Sequence, residues 1–88
     1  MLLRNHGTLT VGRSVASAFE RMFHLERACI MQVRTRMLGP VAYPVDPAVV
    51  DKNTSLLANP ERQELRSTTL VWPALLRKVD RLDPSYKN

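Results

Sequence analysis

The 88-residue chain, 44% apolar and 24% charged, has room for one small domain of ordinary globular composition. Its net charge of +5 comes from thirteen Lys and Arg spread from Arg4 to Lys87, without a run and without interleaved aromatics, which argues against a nucleic-acid surface. The single Cys29 excludes an internal disulfide framework, and no apolar run approaches the length of a membrane span.

Met1-Leu2-Leu3-Arg4 lacks the apolar core of a signal peptide. With one cysteine in an apolar helical context, the expected compartment is the reducing cytoplasm. Residues 2–5 and 8–11 read as two short β-strands, because Thr8, Leu9, Thr10 and Val11 alternate polar and apolar. Gly7 tolerates positive φ, so the reversal is expected at His6-Gly7. Such a hairpin is barely stable alone and needs a larger sheet.

Ser14 is a good N-cap for the next segment. Val15, Ala18, Phe19, Met22, Leu25, Cys29, Val33 and Met37 come at helical spacing, predicting a long amphipathic helix over residues 14–38. Phe23, Ile30 and Met31 widen its apolar face, so it is expected to pack on a sheet or a neighbouring subunit. Glu20, Arg21, His24, Arg27 and Arg34 fall off the stripe and read as solvated surface. Gly39-Pro40 ends the helix.

Residues 39–46 form a connector, part of a segment with Pro40, Pro44 and Pro47. Asp46-Pro47 and Asn59-Pro60-Glu61 each carry an N-cap followed by proline, so helical segments are expected over residues 47–82. Leu65, Thr69, Trp72, Leu75, Leu76 and Val79 continue at helical spacing. Pro73 lies inside that pattern and should kink or split it. Residues 83–88 read as a polar, frayed tail.

Among groups able to carry chemistry, His6 at the hairpin tip is the candidate metal ligand. A neutral imidazole nitrogen ligates zinc well when its other nitrogen is held by a partner. An ordinary surface histidine is the alternative. His24, four residues after Glu20, reads as an i, i+4 ion pair on a solvated face. Glu20 and Glu26 diverge around the helix and make a poor acid–base pair. No nucleophile elbow or glycine-rich phosphate loop is present. Trp72 and Tyr43 read as packing or interface anchors, and Tyr86 as part of the tail. No second His or Cys stands within ligand spacing of His6. The chain is therefore expected to be the C-terminal piece of a larger metal-dependent α/β domain.

Leu3-Arg4-Asn5-His6-Gly7-Thr8-Leu9-Thr10-Val11-Gly12-Arg13, with Ala16 to Ala28 after it, resembles the C-terminal part of class II aldolase/adducin family proteins. The later Trp72-Pro73-Ala74-Leu75-Leu76-Arg77 and Leu82-Asp83-Pro84-Ser85-Tyr86 look like the tail of bacterial members. The resemblance implies an α/β/α layered fold, usually in a homotetramer. It also implies a divalent metal, commonly zinc, on three histidines, with His6 as the third. That metal would act on a small hydroxy-carbonyl substrate, in aldol cleavage, decarboxylation or epimerisation. The other two histidines and the acid–base residue would lie upstream, so this chain alone is expected to be inactive and to hold no metal tightly. Ser17 stands where relatives often carry a capping-box glutamate. Two rivals remain: a non-catalytic, adducin-like interaction module, and a small helical binding protein.

Overall fold

The computed structural model describes residues 1–40 and 43–87. Strands β1 (Leu2–Leu3) and β2 (Gly7–Thr8) pair antiparallel, with Leu2 opposite Thr8 and Leu3 opposite Gly7. The pairing continues outward, where Met1 and Leu9 exchange two hydrogen bonds of 2.9 Å. The strands are thus shorter than the predicted 2–5 and 8–11. The reversal is a three-residue loop, Arg4-Asn5-His6, rather than a turn at His6-Gly7. Asn5 takes the left-handed region at φ 64°, and Gly7 has φ 108°. Asn is one of the few side chains that tolerates that region.

Helix α1 (Val15–Met37) falls inside the predicted span of residues 14–38. Ser14 caps it, and Ser17 completes the capping box by accepting the Ser14 N–H at 3.2 Å. The serine at this position therefore keeps the reciprocal cap that a glutamate would form. Three contacts fasten the hairpin strand and the segment after it to α1. Thr8 donates to Met22 Sδ at 3.2 Å, Thr10 to the Ala18 carbonyl at 2.9 Å, and Arg21 to the Val11 carbonyl at 2.7 Å. Gly12 is the point of closest approach. A Cβ there would stand 2.4 Å from Ser17 Oγ and 2.5 Å from the Ala18 nitrogen.

The connector over Tyr43–Asp46 has no regular secondary structure, with a bend at Tyr43; Val41 and Ala42, part of the predicted linker, lie outside the described residues, as does Asn88 of the predicted tail. Helix α2 (Pro47–Leu57) is capped by Asp46, and α3 (Pro60–Arg66) by Asn59, as the Asx-Pro pairs predict. Pro73 does not split the C-terminal helical run. A π-turn over Ser67–Val71 joins α3 directly to α4 (Trp72–Leu82), with the Trp72 N–H donating to the Ser67 carbonyl five residues back. Two features of the sequence favour this wider turn. Thr68 and Thr69 each donate a hydroxyl to the carbonyl four residues earlier, which loosens the α-helical ladder. Pro73 has no N–H to donate, and a wide turn leaves room for its ring. The tail is ordered rather than frayed: Pro84–Lys87 forms a 3-10 turn folded back on α4.

The described residues are thus mostly helical, with one two-stranded hairpin. Segment 1–38 and the arm, residues 47–87, meet chiefly where the π-turn crosses α1. Phe19 of α1 and Trp72 form an edge-to-face pair, centroids 5.7 Å apart. The predicted apolar stripe of α1 is otherwise largely uncovered, with Phe23, Ile30, Val33 and Met37 all exposed. The chain exposes 7909 Å², against about 5,000–5,500 Å² expected for a closed monomer of this length. Its radius of gyration is 16.5 Å, against about 12 Å.

Gly12→Ala should lower stability by about 1–3 kcal/mol through overpacking against the Ala18 backbone. Urea unfolding followed by circular dichroism measures it, and an unchanged midpoint would show that the contact is slack.

Candidate functional site

His6 closes the hairpin loop, with its N–H facing the Leu3 carbonyl at 3.5 Å. Its ring is exposed, and Nδ1 lies 3.0 Å from the Arg4 carbonyl. A carbonyl only accepts, so this contact requires the proton on Nδ1. In the neutral ring Nε2 then carries the lone pair. This is the arrangement a ligating histidine needs: one nitrogen held by the backbone and the other presented outward. Among the described residues, no three His, Cys, Asp or Glu side chains are grouped to hold a metal.

A second cluster forms where α1 meets the arm. Glu20 is buried at 8% exposure, with its side chain beside a guanidinium, an imidazole and a hydroxyl. Ser67 Oγ lies 2.6 Å from Oε2, Arg66 Nη1 2.8 Å from Oε1, and His24 Nε2 3.6 Å from Oε1. Ala16 and Ser17, one turn earlier on the same side of α1, are also buried, and their small size lets the π-turn approach. A cavity of about 520 Å³, lined in part by Ser17, Arg21, Leu57 and Gln63, opens beside the cluster. A smaller one of about 230 Å³ lies against Phe19, Phe23, Val71 and Leu75. His6 lines neither.

Glu64 of α3 feels the start of α1 electrostatically. The Ser14 hydroxyl first, then that of Ser17, hold its carboxyl below the usual carboxylate range, with Arg13 and Arg21 adding to the effect. No acidic residue stands in the first turn of α1 itself. Glu64 supplies from another helix the negative charge that a helix N-terminus favours. At the far end of the arm, Lys87 at 2.8 Å and the Tyr86 hydroxyl both bind Asp80 and hold its carboxyl low.

The structure separates several residues that the sequence treats alike. Glu20 is not solvated surface, as the helical pattern predicts, but the buried centre of the contact, whereas Glu26 is exposed. His24 does pair with Glu20, at the edge of this cluster. Trp72 packs as an anchor, whereas Tyr43 is 90% exposed. The role of Ser67 leaves only a faint trace in the sequence: three consecutive hydroxyl residues shortly before Trp72-Pro73.

The Class II Aldolase and Adducin N-terminal domain family matches residues 1–33, which span the hairpin and most of α1. A Pseudomonas aeruginosa protein whose name assigns it provisionally to aldolase class 2 is 36% identical over 99% of this chain. The chain belongs to the class II aldolase/adducin family. A Caulobacter vibrioides protein of similar name is 36% identical over 98% of the chain. The chain spans about a third of the length of these two class II aldolase-family relatives, 34% and 33%. Human beta-adducin is 48% identical over 33 residues, 38% of this chain and 4% of its own length. The similarity to the bacterial proteins therefore runs through the arm, and the similarity to beta-adducin covers only a hairpin-and-helix length of chain. No solved structure gives a significant match. No helix among the described residues is long and apolar enough to cross a membrane.

Glu20→Ala should cost about 1–3 kcal/mol, because Ser67 and Arg66 lose a charged acceptor; exposed Glu26→Ala should change stability by no more than about 0.5 kcal/mol. Urea unfolding compares them, and equal effects would refute the special place of Glu20. Glu64 gives a pH signature. Its carboxyl is held below its unfolded value, so its contribution is full above the unfolded pKa of about 4.3 and is lost as pH falls through the folded value. Wild type should therefore melt higher than Glu64→Gln near pH 7, and the gap should close on acidification. A gap that persists below about pH 2 would contradict this.

Proposed function

We propose that His6 is one ligand of a divalent metal site, zinc by the chemistry of an imidazole donor, in a class II aldolase-family protein acting on a small hydroxy-carbonyl compound. The observation that supports this most is the ring's geometry. The Arg4 carbonyl fixes the proton on Nδ1, and the exposed loop presents Nε2. Family membership supplies the chemical context. The remaining ligands and the acid–base group lie outside these 88 residues in this reading, since one imidazole is far short of a zinc coordination shell. A divalent metal held there would supply Lewis-acid polarisation of a substrate carbonyl.

The chain's own residues then have defined tasks. Asn5 and Gly7 set the loop, Arg4 orients the ring, and Thr8, Thr10 and Arg21 fix the hairpin to α1. The uncovered apolar face of α1 suits packing on a sheet or in a homotetramer, within the cytoplasm. The second reading is a non-catalytic, adducin-like interaction module, favoured by the 48% identity to beta-adducin over 33 residues.

Metal analysis of the native gene product carrying this sequence, beside its His6→Ala variant, separates the two. The metal reading expects stoichiometric metal that falls at least 10-fold on substitution. A metal-free wild-type product, or metal content indifferent to His6, would leave the interaction module standing.

A further inference from the structure

We propose that the C-terminal arm positions the His6 hairpin, acting through the single turn of α1 centred on Glu20. The contacts of both partners converge there. All three hairpin attachments to α1 reach residues 18, 21 and 22, through the Ala18 carbonyl, the Arg21 guanidinium and the Met22 sulfur. The arm grips the same turn from its other side, through Ser67 and Arg66 on the Glu20 carboxylate. Phe19, within that turn, receives Trp72.

Gly12 approaches Ser17 and Ala18 too closely for any Cβ. The backbone that leads from Thr8 into α1 is therefore held closely against the start of the helix. An arm that docks on this turn limits how α1 can roll or fray beneath the hairpin, and so fixes the loop that presents His6. Glu20 is the positioning residue in this account. It rests on the metal reading only in giving His6 a purpose, because the coupling itself needs no metal.

The chain carries its own probe of arm docking, since Trp72 is its only tryptophan. The test reads Trp72 emission together with the His6 ring and the Asn5–Thr8 amide resonances, all without metal. Glu20→Ala should shift Trp72 emission to longer wavelength and also move the His6 and loop resonances. Glu20→Gln keeps an acceptor for Ser67 and should move both probes less. Glu26→Ala should move neither. Should Glu20→Ala fail to fold, Ser67→Ala, which keeps the carboxylate and Arg66, carries the test. A Trp72 shift with unmoved hairpin resonances would overturn the coupling, and so would two unmoved probes. Either result leaves the metal reading of His6 intact, because His6→Ala tests that separately through metal content.

Discussion

The arrangement of this chain depends on one buried carboxylate. Glu20 lies 47 residues from Ser67 in sequence, yet its oxygens take the Ser67 hydroxyl and the Arg66 guanidinium. Burying a carboxylate is costly unless its lone pairs are met by donors. Here the donors come from the segment that must dock, so the site is satisfied only when the arm is in place. Apolar packing alone would not select this arrangement. The apolar residues of α1 remain mostly exposed, and the contact offers little more than Ala16 and the Phe19–Trp72 pair.

The π-turn makes the contact possible. An uninterrupted α-helix over residues 60–82 would have to place Pro73 at an interior position with an unmet carbonyl and a steric clash. The wider turn gives the proline ring room and sets Ser67 opposite Glu20. π-turns recur at functional positions in helices, and this one sits where the two halves of the chain meet. The exposed surface, well above that of a closed monomer, fits a chain spanning a third of its bacterial relatives.

Much of this was legible in the sequence, for identifiable reasons. Asp46-Pro47 and Asn59-Pro60 are local signals, in which a side-chain acceptor and a preset φ act within four residues, and both helices begin there. His6 at a hairpin tip was legible from Asn-His-Gly chemistry, although the loop sits one to two residues earlier than glycine alone suggests, because Asn5 also takes positive φ. The burial of Glu20 was not legible. On a helical wheel it belongs with the solvated residues, and only the distant Arg66 and Ser67 make its burial tolerable. The ordered tail was hidden for the same reason, since Asp80 recruits Tyr86 and Lys87 across a turn that composition does not reveal. Long-range polar pairing leaves no periodic trace, whereas capping and amphipathicity do.

The central claim is that Glu20 and Ser67 recognise each other across the fold. A double-mutant cycle with Glu20→Ala and Ser67→Ala, read by urea unfolding, measures that recognition directly. Direct recognition predicts a coupling energy of about 0.5–3 kcal/mol between the two sites. Additive single and double mutants would show that the two side chains act independently, and would contradict the idea that this pair holds the two halves of the chain together.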